Sequence, residues 1–190
     1  MIRIAITPEL LTDANMEAAM VRAVLDAGWD AVHLRHPSAT LADMRRLVGI
    51  IPPVYHQRLR LHGHFDLVAE YNIGGLHLNS RCPSVPAGYN GKVSRSCHSV
   101  DEALAADGFE YVTLSPIFDS ISKAGYRAAF TPAMLERLAG RTTRVVALGG
   151  VTPERTSEIE RYNFDGYAVL GALPWNGTVE EMTTEANKFK

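Results

Sequence analysis

Short apolar runs alternate with amphipathic stretches along almost the whole chain, regularly enough to divide it into elements. Ile2 to Ile6 reads as a first strand, ended by Thr7-Pro8. Met16 to Ala27 has helical spacing, with Met16, Met20, Val24 and Ala27 on one face and Gly28 placed to stop it. Ala31 to Arg35 is a second strand, and Leu41 to Val48 a second helix closed by Pro52-Pro53. Arg58 to His62 makes a short third strand, followed by a helical turn around Phe65 to Tyr71 and a fourth strand, Gly75 to Asn79. The connection from Arg81 to Asn90 contains prolines at 83 and 86 and a glycine at 88, so its helix is expected to be missing or reduced. Val93 to Cys97 and Tyr111 to Leu114 supply strands five and six, each with a helix after it, Val100 to Ala106 and Thr131 to Leu138. Thr178 to Phe189 closes the chain as a helix.

The remaining stretch, Arg144 to Trp175, has the most regular pattern. Val145 to Leu148 is an apolar run that stops at Gly149-Gly150; Thr152-Pro153-Glu154 then looks like a helix start, with a hydroxyl cap and proline at the first position. That helix reaches about Tyr162, and a second apolar run, Gly166 to Leu170, ends on Gly171. Eight strands with intervening helices predict a single α/β domain over residues 1–190, a (β/α)8 TIM barrel rather than an open doubly wound sheet. In a barrel, two glycine turns at the carboxyl ends of adjacent strands expose backbone N–H groups that can hold a phosphate. The plainer reading of the same glycines is that they only terminate strands.

Composition narrows the function classes. The hydrophobic fraction of 46% is ample for a core, and a net charge of −2 makes no case for nucleic acid or a membrane surface. Cys82 and Cys97 form no metal-ligand spacing, and the start MIRIAITPELL lacks the basic residues and long apolar run of a signal peptide. A cytoplasmic protein acting on small molecules is the expectation, with a homo-oligomer compatible with the sequence.

Barrel chemistry sits at the carboxyl ends of the strands. Those ends read Arg35-His36, His62-Gly63-His64, Asn79-Ser80-Arg81 and Ser94-Arg95-Ser96-Cys97-His98. Strand six runs into Ser115 to Gly125, SPIFDSISKAG, a long loop carrying hydroxyls, a lysine and a glycine, the groups that meet a phosphate. A solvated surface loop would look the same.

Together, VHLRH (Val32 to His36), DLVAEYNIGGLHL (Asp66 to Leu78), SPIFDSISKAG and ALGGVTPE (Ala147 to Glu154) resemble the thiamine-phosphate synthase family, which also contains thiazole tautomerases. The resemblance implies a transferase of thiamine biosynthesis. Such an enzyme joins an aminopyrimidine diphosphate to a thiazole phosphate and releases pyrophosphate, while Mg²⁺ and basic residues hold the leaving group. It implies catalytic roles at the diphosphate for Arg35, Ser96 and Lys123. It places the thiazole phosphate at Ser120, Ser122, Gly149, Gly150 and Gly171, with His33 and His62 as further substrate-binding positions.

The departures from the pattern matter as much. Where the family has Asn-Asp after strand three this chain has His62-Gly63, and where a second aspartate follows strand four it has Cys82. Those two carboxylates are what the family uses for Mg²⁺, a hard ion that favours oxygen. The family's glutamine and lysine beside the strand-two arginine are His33 and Pro37, its hydroxyl after strand eight is Gly171, and the tautomerase histidine falls at Pro116. The nearest replacement carboxylates in sequence are Asp66 and Asp119, and Asp119 is the better placed of the two. A degenerate Mg²⁺ site is therefore expected. A metal-independent thiazole phosphate isomerase and a non-catalytic thiazole-phosphate-binding barrel stand as alternatives. Four histidines, His33, His62, His77 and His98, fall at or near strand ends. If His33 and Arg35 face inward, His62 and His77 can face the same cavity, and a transition metal in place of Mg²⁺ is conceivable. Simple hydrogen-bonding roles are the plainer reading, and no metal ligand is assigned from sequence.

Overall fold

The computed structural model describes residues 1–119 and 128–189. Eight parallel strands close into a barrel in chain order. They are β1 (Ile2–Ile6), β2 (Ala31–Leu34), β3 (Leu59–Leu61), β4 (Gly75–Leu78), β5 (Lys92–Cys97), β6 (Tyr111–Leu114), β7 (Val145–Leu148) and β8 (Gly166–Val169). β1 pairs with both β2 and β8, which seals the sheet. Around it lie α1 (Ala14–Asp26), α2 (Leu41–Ile50), α3 (Leu67–Glu70), α4 (Val100–Leu104), α5 (Pro132–Glu136), α6 (Thr156–Arg161) and α7 (Val179–Ala186). No helix forms between β4 and β5, as the prolines of that connection predict. Among the described residues, no helix is long and apolar enough to cross a membrane.

Side-chain caps start most helices where the hydroxyls and Asp13 allow. Asp13 accepts from the N–H groups of Asn15 and Met16, and Thr40 with Asp43 and Thr178 with Glu181 form reciprocal capping boxes. Two expectations fail locally. Thr152 makes no cap bond; a 3-10 turn over Pro153–Arg155 precedes α6, and the Thr152 hydroxyl bonds the Glu154 carboxylate instead. On α1, Met16 is exposed and its neighbour Glu17 is buried, because Glu17 reaches a buried histidine, His36.

Two cores result. The larger one packs the outer strand faces against the helices, with Trp29 edge-on to Phe189 at 5.3 Å. The smaller one fills the barrel from Ile4, Ile6, Ala31, Tyr111, Val146 and Ala168. The barrel also encloses polar side chains on neighbouring strands β2 to β6: His33, Arg60, His77, Ser94 and Thr113 are all buried. Arg60 pairs with Glu110 at 2.8 Å. Burying imidazoles and a guanidinium costs desolvation that an apolar filling would avoid. This polar lining points to a function on that side of the barrel.

Candidate functional site

A cavity of about 450 Å³ opens at the carboxyl ends of the strands. One end is walled by Leu148, Gly149, Gly150, Val151 and Gly171, the other by Arg35, His62, His77, Asn79, Arg81, Ser96 and His98. Sequence reasoning had nominated Arg35, Ser96, His62, Gly149, Gly150 and Gly171, and the barrel brings all six to this one cavity. His33 lies beneath it, buried in the barrel and touching His62. Ser120, Ser122 and Lys123 lie outside the described residues.

At the glycine end, Gly149 has φ of +100° and Gly150 of +64°, conformations that exclude most side chains. Both also pack tightly. A Cβ on Gly149 would lie 3.0 Å from Pro116 Cα, and one on Gly150 would collide with the Asp119 carbonyl. The double glycine is thus demanded by the approach of the β6 loop, besides any ligand. Arg155 braces the turn: its Nη1 donates to the Gly150 carbonyl at 2.7 Å and its guanidinium stacks on Phe118, 4.9 Å from the ring centre. Gly171 is exposed and is not among the glycines with positive φ, so nothing in its backbone requires glycine. A second concavity of about 520 Å³ adjoins Gly171 on its outer side, but Glu180, Glu181 and Glu185 line it and would repel a phosphate.

The opposite end is positively charged. Arg35 reaches the cavity from the end of β2, its backbone N–H donating to Thr7 Oγ1 at 2.9 Å. Arg81, after β4, adds a second guanidinium that the resemblance did not assign; its signal in the sequence was its place at a strand end. His62, His77 and His33 meet between these arginines and the barrel floor. His33 Nδ1 and His62 Nε2 are 2.8 Å apart, the rings of His62 and His77 stack at 4.2 Å, and His33 Nε2 meets the Tyr111 hydroxyl at 2.6 Å. His77 bonds Ser94 through Nδ1 at 2.8 Å and Ser96 through Nε2 at 2.9 Å. Ser94 donates its single proton to the Leu76 carbonyl, so it accepts from His77 Nδ1–H; Nε2 then carries the lone pair, which receives the Ser96 hydroxyl. His98, the fourth histidine of the sequence pattern, is exposed at the rim.

Burial keeps these rings neutral. It lowers His77 to about 3, and it is the main cause of the strong lowering of His33 and His62, to which the charges of neighbouring histidines and arginines add. Burial likewise pushes the Tyr111 hydroxyl up to about 12, so it stays protonated.

Among the described residues, neither end offers a carboxylate for Mg²⁺. Gly63 and Cys82 line a small pocket of about 200 Å³ beside Arg35, His62, His64 and Arg81, and no carboxylate lines it or the main cavity. Asp66 is exposed ahead of α3, and Asp119, whose backbone packs on Gly150, has its Oδ1 accepting from Ala128 N–H at 2.8 Å. The lining among the described residues, imidazoles, guanidiniums and hydroxyls, does not fit a hard dication.

The model of the thiamine monophosphate synthase family matches residues 4–173. A putative thiamine-phosphate synthase of Geobacter sulfurreducens is 27% identical over 183 residues, covering 86% of this chain and 84% of that protein. The thiamine-phosphate synthase of Listeria monocytogenes is 32% identical over 117 residues; the match spans 56% of this chain but only 55% of that protein's length. The crystal structure of thiamine phosphate pyrophosphorylase from Bacteroides thetaiotaomicron superposes with a TM-score of 0.86 at 33% identity, covering 100% of this chain and 95% of that one. With the closed barrel and the cavity at its carboxyl end, these matches show that the chain belongs to the thiamine monophosphate synthase family.

Proposed function

We propose that this chain is a synthase-type transferase of thiamine biosynthesis, coupling an aminopyrimidine diphosphate to a thiazole phosphate with release of pyrophosphate. The observation that carries this reading is the two-ended cavity, with glycine turns at one end and Arg35, Arg81 and Ser96 at the other. That layout suits two phosphorylated substrates laid end to end. The thiazole phosphate takes the turns at Gly149, Gly150 and Gly171, with Ser120 and Ser122 completing its shell. The diphosphate takes Arg35, Ser96 and Lys123. As the bond from the pyrimidine methylene to the diphosphate oxygen breaks, the electron pair leaves with pyrophosphate, and the thiazole nitrogen supplies the pair for the new carbon–nitrogen bond. The protein's part is to align the two and to place positive charge at the departing oxygens.

The diphosphate end relies on arginine, lysine and hydroxyl donors, since a carboxylate-held Mg²⁺ does not fit the residues there. The test is product formation from both substrates, with and without added Mg²⁺. Slow formation of thiamine phosphate with little response to Mg²⁺ is expected. Tight binding of thiazole phosphate with no product would instead make the chain a binding barrel, and conversion of the thiazole alone would make it an isomerase.

A further inference from the structure

We propose that His33, His62 and His77 form a binding site for one borderline-soft transition-metal dication of the zinc class, set in the barrel floor with an open coordination position toward the cavity. Three observations support it. First, the barrel brings the three side chains from β2, the end of β3 and β4 so close that one ring nitrogen of each lies within 4.8 Å of one from each of the others. Nitrogens sharing a zinc ion at about 2.1 Å stand roughly 3.4 Å apart, so the nitrogens have to close in slightly. Their centres are 5.0, 4.8 and 4.2 Å apart, so the stacked pair, His62 and His77, has to splay for both rings to point at one ion.

Second, the outer hydrogen bonds are those that hold ligands in place. Ser94 fixes Nδ1–H of His77 and leaves Nε2 with a lone pair that the Ser96 hydroxyl now holds and an ion would take in its place, and the Tyr111 hydroxyl meets Nε2 of His33 and leaves Nδ1 turned to His62. Such partners orient the ring and select its tautomer. His33 Nδ1 and His62 Nε2 share one proton between them at 2.8 Å. An ion entering there displaces it, and each neutral ring can carry its proton on the other nitrogen, so binding releases no proton; the charge stays on the ion, beside Arg35, Arg60 and Arg81. Third, the barrel interior beside the cluster holds an unsatisfied polar group: Thr113, paired with Ser96 across β5 and β6, has a buried hydroxyl with no hydrogen-bond partner among the described residues.

The donor set decides the class of metal. Three imidazoles without an oxygen ligand select Zn²⁺, Co²⁺ or Ni²⁺ and reject Mg²⁺ and Ca²⁺. His62 and His77 are part of the cavity wall, so the fourth ligand comes from the cavity, as water or as a substrate oxygen or nitrogen.

The inference is independent of the coupling reaction, because it is tested by metal binding to the purified protein with no substrate present. Metal-stripped protein is titrated with Co²⁺ and followed by its visible absorption, then with Zn²⁺ by calorimetry. One ion per chain is expected, with the visible bands of four-coordinate cobalt that Zn²⁺ then bleaches, and no response to Mg²⁺. His33→Ala and His62→Ala should abolish the bands. Ser94→Ala, which keeps all three ligands and removes little volume, should weaken binding by about tenfold while leaving far-ultraviolet circular dichroism unchanged. Absence of Co²⁺ binding by the folded wild-type protein overturns the site, leaving the histidines as a hydrogen-bonded cluster. Binding that survives in folded His33→Ala, or that His98→Ala removes instead, also overturns it.

Discussion

Gly63 and Cys82 stand against each other at the mouth of the barrel: a Cβ built on Gly63 would lie 3.7 Å from Cys82 Sγ. They are nineteen positions apart in the chain, and the resemblance puts the family's two Mg²⁺-holding carboxylates at these positions. The contact distance is ordinary, so a Cβ fits at Gly63, and both positions line the pocket of about 200 Å³. Gly63→Asp with Cys82→Asp is expected to create an oxygen pair and raise Mg²⁺-dependent formation of thiamine phosphate severalfold. The measurement is initial rate against Mg²⁺ concentration for both proteins. A wild-type protein already turning over at roughly 1 s⁻¹ with Mg²⁺ would show that these two positions are not what limits the reaction.

Gly171 gives the cleaner test of the phosphate end. Gly150→Val meets the Asp119 carbonyl and an unfavourable positive φ, so it should destabilise the fold as well as the site. Gly171 is exposed at the cavity wall and is not among the glycines with positive φ. Gly171→Val should therefore keep its melting temperature and lose at least tenfold in thiazole-phosphate affinity, about 1.4 kcal/mol. Calorimetry on the two variants separates packing from binding; full affinity in Gly171→Val would move the phosphate elsewhere.

Arg35 and Lys123 are expected to act at the leaving group. Alanine at either position should lower turnover on the order of a hundredfold, as for loss of one charge-stabilising donor, while thiazole-phosphate affinity changes little. Steady-state kinetics alongside binding of the thiazole phosphate alone tests the division. Equal, small effects on both quantities would mean that neither residue meets the diphosphate.

The Arg35 backbone is held from behind by a buried chain. Its N–H donates to Thr7 Oγ1, which lies 3.1 Å from His36 Nε2, and His36 Nε2 is 2.6 Å from Glu17 Oε1. Glu17→Ala leaves that imidazole only the longer contact to Thr7 and should cost about 2 kcal/mol of stability, read by denaturant unfolding. Glu17→Gln can still accept the bond and should lose less. Identical losses in both variants would mean that the bond contributes nothing and only side-chain packing matters.

The alternation of apolar runs with helical stretches was enough to determine the eight strands and the barrel, because strand and helix periods are local properties of the chain. It also showed where a helix would be missing, through Pro83 and Pro86. Rules of strand-end position and the resemblance then nominated Arg35, Ser96, Gly149, Gly150 and Gly171, all of which line the cavity. Local pattern failed where a side chain answers to a distant partner. Glu17 is buried on α1 and Met16 is not, since His36 lies across the barrel mouth; Thr152 turns to Glu154 rather than capping α6. For His33, His62 and His77 the sequence allowed a shared cavity but not the distances within it. Alternation tells which face of a strand a residue takes, but ring separations depend on barrel register, on the pairing of His33 with Arg60 and His77 with Ser94, and on which hydroxyls fix the rings. Only the closed sheet decides those distances, and with them whether three scattered histidines are three hydrogen-bonding side chains or one site.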